Sequence, residues 1–261
     1  MTDEKVIVKD QGLVDRTTVL RSNPGEPWPA PAFNDTTAKQ TAWTRVYPRQ
    51  GPPGVAVQPQ SRIWLGIGAV VASMVAMFTV PSAYFADATF VSTAVMMAAA
   101  YGLGLRPKRA WPKPGSLALG VVSAIALYLV FYLGAAAIDA LHPLGITSAS
   151  ESSIYSLIAS GSNPRYLQVA LLLFDSAGYE SFFRGVLQGR LAPRLGLGAA
   201  PAVALLDAGV HLFTLNPVWV VATFVTDLFW GLTFHYGKGT GASFTSHFLW
   251  DLAIFIVRPV M

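Results

Sequence analysis

The chain has 261 residues, of which 53% are hydrophobic and only 12% are charged, and its formal net charge is +4. Soluble domains carry about 25% charged residues, so this composition excludes an ordinary soluble domain and predicts a membrane protein. Cysteine is absent, which excludes disulfides, thiolate metal sites and a cysteine nucleophile. The cations lie at the ends of apolar stretches, where they indicate membrane topology and lipid headgroup contacts, so no nucleic-acid partner is expected.

Residues 1–61 differ from the rest of the chain. They carry mixed charges and many prolines and show no apolar periodicity, which predicts a disordered, Pro-rich tail. A signal peptide needs a basic start, an apolar stretch and a small-residue cleavage site, and this segment lacks that order. We therefore expect the tail to stay attached to a transmembrane domain at residues 62–261.

From Ile63 onward, apolar stretches recur at lengths near the ~20 residues that a helix needs to cross a bilayer. They lack the alternating pattern of a β-barrel wall, so helices are predicted. The expected fold class is all-α, a polytopic transmembrane bundle of about seven helices. The predicted helices cover residues 63–80, 87–105, 116–140, 166–190, 197–215, 217–236 and 241–258.

Lysine and arginine collect before the first helix and in alternate connections, as expected for loops retained on the cytoplasmic side. With seven crossings, the N-terminal tail is predicted to be cytoplasmic and the C-terminus to face outward. Segment 141–165 then lies outside, and its Ile154, Tyr155, Leu157 and Ile158 predict a short interfacial helix. The cations are Arg45, Arg49, Arg62, Arg106, Lys108, Arg109, Lys113, Arg190, Arg194 and Lys238.

Ionisable residues concentrate in the last four predicted helices. A charged side chain inside a bilayer costs at least ~2.5 kcal/mol, so such residues normally face the interior of the bundle, form pairs and mark a functional site. The asymmetry predicts a polar centre in the C-terminal half. The residues are Asp175, Glu180, Arg184, Asp207, His211, Asp227, His235, His247 and Asp251.

Three pairs of these residues are separated by four positions, which places both members on one face of a helix. The pairs are Glu180 with Arg184, Asp207 with His211, and His247 with Asp251. Three helices can therefore present polar stripes to one cavity. Taken singly, each pair also has a structural alternative, as a neutralising ion pair or as an interhelical hydrogen-bonding clamp.

The other polar and aromatic residues of this half are interpreted as structural. Asp227 and His235 are typical of packing or helix-end residues. Asp175 precedes Glu180 by five positions and lies off its face. Trp230 and Trp250 are interpreted as aromatic packing or interface anchors.

Two kinds of chemistry fit the remaining donors. Glu180, His211, His247 and Asp251 supply the imidazole nitrogens and carboxylate oxygens that bind Zn²⁺ and polarise water. Without metal, Glu180 can deprotonate water while the histidines stabilise an oxyanion. No HExxH helix is present to favour zinc, so both schemes stay open.

These residues resemble the motifs of the CPBP family of intramembrane proteases, also called the Abi or type II CAAX prenyl protease group. The family's first motif, a Glu-Glu pair, three residues and Arg, is similar to residues 179–185, YESFFRG. Its second motif ends in a histidine, matched here by His211 alone. Its third, His, three residues and Asn or Asp, is similar to His247 through Asp251, and the approach GLTFHYGKGTGAS is also similar. The resemblance covers residues 166–258.

The resemblance implies hydrolysis of peptide bonds within the membrane. In the family, the first-motif glutamate activates water, while the two histidines and the last Asn or Asp bind metal or stabilise the oxyanion. Here Tyr179 stands where the first glutamate is expected. Either Glu180 takes that role, Asp207 substitutes for it from the neighbouring helix, or activity is lost.

We therefore predict an intramembrane endopeptidase of a cell membrane, with Glu180 as base, Arg184 orienting it, His211 and His247 as ligands or oxyanion donors, and Asp251 supporting. Its expected partners are membrane lipids and a membrane-associated peptide, such as a prenylated C-terminus or a bacteriocin-like precursor. Two alternatives are an inactive family member that binds a membrane peptide or partner, and a proton-coupled transporter. No internal repeat with interrupted helices favours the transporter.

Overall fold

The computed structural model describes residues 7–8, 18–19, 60–103, 105, 113–140, 155–156 and 164–258. The chain divides into two compact units, Met1–Thr41 and Ala42–Met261. In the first unit, strands β1 (Ile7–Val8) and β2 (Thr18–Val19) pair antiparallel, with Ile7 opposite Val19. The rest of the predicted 1–61 tail, apart from Gln60 and Ser61, and most of the predicted interfacial helix lie outside the described residues.

The second unit is helical throughout its described regular elements. Its α-helices are α1 (Gln60–Thr79), α2 (Phe85–Met97), α3 (Pro114–Ala140), α4 (Arg165–Tyr179), α5 (Gly189–Leu195), α6 (Ala199–His211), α7 (Pro217–Gly237) and α8 (Thr240–Asp251). Three stretches of π-helix continue α2, α4 and α8, at Ala98–Gly102, Glu180–Gln188 and Leu252–Val257. The predicted all-α, polytopic fold class is confirmed.

Six described segments are long and apolar enough to cross a membrane. Five of them each correspond to one predicted helix. The remaining segment, Arg165–Thr214, contains both the fourth and the fifth predicted helix. That segment turns at Gly196, whose φ of 56° lies in the left-handed region that glycine adopts without strain. The polar side chains predicted on the fourth and fifth helices therefore lie on two helices joined by a short turn.

The ends of α7 are fixed by local signals in the sequence. The side chain of Asn216 accepts hydrogen bonds from the backbone N–H groups of Val218 and Trp219 at 3.0 and 3.2 Å, and Pro217 occupies the first turn. The helix ends at Gly237, and Lys238, which caps it, has a φ of 59°. These caps set the register of α7, which carries Asp227 at its centre and Trp230 one turn later.

Helix α8 packs most closely against α3, and α6 packs most closely against α7. The α3–α8 contact is close at Gly120, where an added Cβ would lie 2.6 Å from the carbonyl oxygen of Ala242. Buried hydroxyls also join α3 to its neighbours, because Oγ of Ser123 lies 2.7 Å from Oγ1 of Thr233 and 3.0 Å from Oγ of Ser246. This packing holds α7 and α8 side by side behind the polar centre.

Candidate active site

The polar centre is built where α4 changes into a π-helix. The change begins at Glu180, directly after Tyr179, and continues to Gln188. Insertions of π-helix into α-helices are frequent at functional sites. Every residue from Phe182 to Gln188 is buried, and Glu180 is only 1% exposed.

His247 on α8 is the residue around which the centre is arranged. Its Nδ1 lies 3.0 Å from Oε1 of Glu180, and its Nε2 lies 3.3 Å from Oδ2 of Asp251. The indole ring of Trp230 stacks on the imidazole, with ring centroids 3.5 Å apart and planes inclined by 13°. The ring is therefore fixed by a carboxylate at each nitrogen and by an aromatic face.

Asp251 is held in turn by Ser176, whose hydroxyl lies 3.3 Å from Oδ2 and also donates to the carbonyl oxygen of Leu172 at 2.8 Å. The predicted four-residue pairing of His247 with Asp251 is present as a contact between side chains. Ser176 and Glu180 lie on the same chain segment, so α4 and its π-helical continuation reach both sides of the imidazole.

Arg184 is wholly buried, and its closest carboxylate is Asp227 on α7. The distance from Nη2 to Oδ1 of Asp227 is 2.5 Å, whereas Nε lies 3.9 Å from Oε2 of Glu180. A buried guanidinium needs a close counter-ion, because an unpaired charge in this environment is strongly destabilising. Arg184 therefore binds α4 to α7 and contacts Glu180 only more distantly.

Tyr179 occupies the position where the family motif has its first glutamate. Its hydroxyl donates a hydrogen bond to Oδ2 of Asp207 and lies 3.1 Å from Oδ1 of Asp227. The ring stacks on Phe183 and meets His247 edge-on at 5.2 Å. A tyrosine thus joins carboxylates of α6 and α7 beside the imidazole, and it engages Asp207, the residue considered above as a substitute base.

His211 lies at the C-terminal end of α6. Its Nδ1 is 3.0 Å from the backbone carbonyl oxygen of Asp207 and 3.7 Å from Oδ1 of that residue. Because a carbonyl oxygen can only accept, Nδ1 is the donor, and Nε2 of the neutral ring carries a lone pair. Phe78 and Trp219 pack on the ring, with centroids at 4.8 and 5.9 Å.

A cavity of about 230 Å³ connects the two histidines. Its polar wall includes Asp175, Tyr179, His211, His247 and Asp251, and the rest is mainly methionine and aromatic side chains from α1, α2, α3 and α7. A water molecule takes up about 30 Å³, so the cavity has room for several waters or for part of a peptide. Glu180 is absent from this wall and reaches the cavity through His247.

The predicted Zn²⁺ ligands have suitable donor atoms but not the arrangement of a metal site. Within the described parts of the chain, no three or more His, Cys, Asp or Glu side chains are grouped so that they could hold a metal ion. Nδ1 of His247 already lies beside Oε1 of Glu180, and Glu180 itself does not line the cavity. The arrangement does not fit Zn²⁺ as it stands, and zinc stays a prediction from the sequence.

Comparison with known proteins found a family match in the C-terminal half of the chain. The family model described as Type II CAAX prenyl endopeptidase Rce1-like matches residues 161–253. Those residues are therefore similar to an Rce1-like domain. The resemblance noted in the sequence is confirmed, and the match supports a protease role in the membrane. Neither the search of curated proteins nor the search of solved structures found a match.

The matched region brings together residues that the sequence analysis interpreted as separate and structural. Asp227, interpreted as a packing or helix-end residue, lies at the centre of α7 and is the close counter-ion of Arg184. Trp230, interpreted as packing or an interface anchor, is 4% exposed and stacks on His247. The position of Asp227, ten residues from each end of an apolar helix, was the available signal. No local pattern marked Trp230.

Proposed function

We propose that this chain is an intramembrane endopeptidase that hydrolyses peptide bonds of membrane-associated peptides. The observation that carries the proposal is the shared cavity, on whose wall His211 and His247 lie together with Asp251. Prenylated C-termini and bacteriocin-like precursors are the substrate classes considered, because both bring an apolar anchor and a peptide to the membrane. The apolar part of the cavity wall is compatible with such peptides.

In the proposed reaction, Glu180 acts through His247. The Nδ1–H of His247 donates to the Glu180 carboxylate, so Nε2 is the nitrogen that accepts a proton from water. Asp251 lies 3.3 Å from Nε2 and stabilises the imidazolium that results. The sequence predicted Glu180 itself as the base. In this proposal Glu180 is instead the carboxylate that orients His247, because it does not line the cavity.

The remaining steps use the same groups. Hydroxide formed from the water attacks the carbonyl carbon of the substrate, and its oxygen forms the new C–O bond. The C–N bond then breaks, and the leaving nitrogen takes the proton from Nε2 of His247, which yields a carboxylic acid and an amine. Nε2 of His211 accepts a hydrogen bond from the second O–H of the water, which keeps its hydrogen, and so orients the water. The lone pair of Nε2 favours this role over donation to an oxyanion.

The rival proposal is an inactive family member that binds a membrane peptide. The observation favouring it is the hydrogen bond from the Tyr179 hydroxyl to Asp207. Because Asp207 is engaged in this bond, it is not available as a second carboxylate to activate water. Under the endopeptidase proposal Asp207 is not needed, since the Glu180–His247 pair supplies the base. The two proposals therefore differ in whether a bound peptide is cut.

The test uses purified full-length protein in detergent or liposomes with a library of membrane peptides. Wild type is compared with Glu180→Gln, His247→Ala and His211→Ala, and His235→Ala serves as a histidine control that lies off the cavity wall. Cleavage by wild type and the control, but not by the three site variants, is the expected result. Binding without cleavage by wild type would favour the inactive member, and metal analysis of the same sample tests the Zn²⁺ prediction.

A further inference from the structure

Asp175 on α4 is a carboxylate of the cavity wall that the proposed reaction does not use. Oδ1 accepts a hydrogen bond of 2.5 Å from the hydroxyl of Thr93 on α2. Within the described parts of the chain, no lysine, arginine or histidine forms an ion pair with it. Asp175 is partly exposed, and it is exposed on the wall of the cavity.

The other acidic residues of the centre differ in this respect. Each of them contacts a cationic, imidazole or phenolic side chain of the protein. They are Glu180 with His247, Asp227 with Arg184, Asp251 with His247, and Asp207 with Tyr179. Ionisable residues within membrane-spanning segments normally have such a partner. For Asp175, the described structure provides one neutral hydroxyl and an open cavity.

The carboxylate of Asp175 is also held in place. Helices α2 and α4 approach so closely at Gly178 that an added Cβ there would lie 2.5 Å from Cγ2 of Thr93. Thr93 is completely buried, so its hydroxyl is fixed by the same contact. The crossing of the two helices therefore fixes the position of the Asp175 carboxylate, which favours binding of a ligand at that point.

The cavity beside Asp175 is lined by flexible apolar side chains, including Met74, Met77 and Met96. Such a surface suits the methylene stem of a long side chain, while the carboxylate suits a cationic group at its end. Lysine and arginine have this combination of an apolar stem and a charged head. A glutamate or aspartate side chain would instead bring a second negative charge to Asp175.

We propose that Asp175 forms a subsite that binds a lysine or arginine side chain of the peptide substrate. This proposal rests on the proposed peptidase function and adds a preference among substrates. Asp175 precedes Tyr179 by four residues, about 6 Å along an α-helix, and both line the cavity. The ring of Tyr179 lies 5.2 Å from the imidazole of His247, where the proposed reaction takes place. Since an extended peptide advances about 3.4 Å per residue, the basic residue is expected within about three residues of the cleaved bond.

The experiment uses acetylated, amidated hydrophobic peptides that differ at one position, which carries lysine, norleucine or glutamate. Blocked termini ensure that only the side chain supplies a charge. The position is moved along the peptide, and binding is measured by competition with a fluorescent peptide while products are mapped by mass spectrometry. The proteins are wild type, Asp175→Asn, and Asp87→Asn, which removes an equal charge from an exposed residue of α2 that does not line the cavity.

Wild type and Asp87→Asn are expected to bind the best lysine peptide about 10-fold to 100-fold more tightly than its norleucine counterpart, as for hydrogen bonds to charged groups. Asp175→Asn should lose this preference while binding the norleucine peptide as wild type does. If wild type binds the three peptides equally, that result alone contradicts the proposed subsite. So does a uniform loss of all binding in Asp175→Asn, which would indicate a structural role. A lysine preference without products contradicts the peptidase and supports the subsite.

Discussion

The Nδ1 atom of His247 lies 3.0 Å from Oε1 of Glu180, across the contact between α8 and the π-helix that follows α4. Glu180 fixes the tautomer of the ring, and Asp251 lies beside the other nitrogen. The pair has the form of an imidazole base with an orienting carboxylate, as in other hydrolases. Removing the charge of Glu180 should therefore affect proton transfer by His247 rather than peptide binding.

Replacing Glu180 with glutamine should lower kcat by about 10² to 10⁴ while changing KM little. The amide oxygen can still accept from Nδ1, but a neutral group no longer stabilises a proton on His247. Steady-state cleavage of a membrane peptide measures both constants. Asp87→Asn makes the same carboxylate-to-amide change at an exposed site and should cleave at the wild-type rate. A wild-type kcat in Glu180→Gln would show that Glu180 does not contribute to the base.

Asp227→Asn should lower the free energy of unfolding by about 3–5 kcal/mol, because it leaves the buried guanidinium of Arg184 without its close counter-ion. Replacing both residues, as Arg184→Met with Asp227→Leu, should cost less than Asp227→Asn alone, since no buried charge is then left unpaired. Denaturation in mild detergent, followed by intrinsic tryptophan fluorescence, measures the differences. If the loss in the double variant equals the sum of the losses in Arg184→Met and Asp227→Leu measured singly, the pair is not coupled.

Substitutions of Tyr179 test the position at which this chain departs from the family motif. Tyr179→Phe removes the hydroxyl that bonds Asp207 and should destabilise the fold by about 1–3 kcal/mol, the cost of an unsatisfied buried group. Tyr179→Glu restores the family glutamate but adds a carboxylate beside Asp207 and Asp227, so it should be less stable than Tyr179→Phe.

Combining Tyr179→Glu with Asp207→Asn removes one of the competing charges and should recover part of the lost stability. Thermal melting of the three variants in the same detergent compares them directly. A Tyr179→Glu protein as stable as wild type would show that the tyrosine is not required by its carboxylate neighbours.

Gly178 and Gly134 form a matched pair for testing the contact between α2 and α4. An added Cβ at Gly178 would lie 2.5 Å from Cγ2 of Thr93, whereas one at Gly134 would meet nothing within 4 Å. Gly178→Ala should therefore destabilise by about 1–3 kcal/mol through overpacking. Gly134→Ala should be neutral or stabilising by up to about 1 kcal/mol, because alanine is the better helix former. Equal melting temperatures would contradict the close approach.

The predicted orientation can be tested with single cysteines, because the natural sequence has none. Lys113, Arg165 and Lys238 are exposed in the structure and lie in or beside connections between helices. Cysteine at positions 113 and 238 should react with a membrane-impermeant maleimide only from the cytoplasmic side, and cysteine at 165 only from outside. Labelling of positions 113 and 165 from the same side would contradict the predicted seven crossings.

The membrane-spanning helices, their apolar faces and the pairs of polar residues four positions apart could be predicted from the sequence alone. These features depend on local periodicity and on the cost of charge in a bilayer, both of which can be read along the chain. The sequence also predicted that His247 and Asp251 share a face, and their side chains lie 3.3 Å apart. The motif resemblance pointed to the same half of the chain that the family match covers.

The contacts between residues of different helices depend on how the helices pack and could not be predicted from the sequence. Arg184 is four residues from Glu180 in sequence, yet its close partner is Asp227, which is 43 residues away. Trp230 reaches His247 because the packing of α7 on α8 brings their faces together. Such contacts depend on helix crossings, and crossings are set by side-chain shape at the interface, as at Gly178 and Gly120, which no period in the sequence encodes.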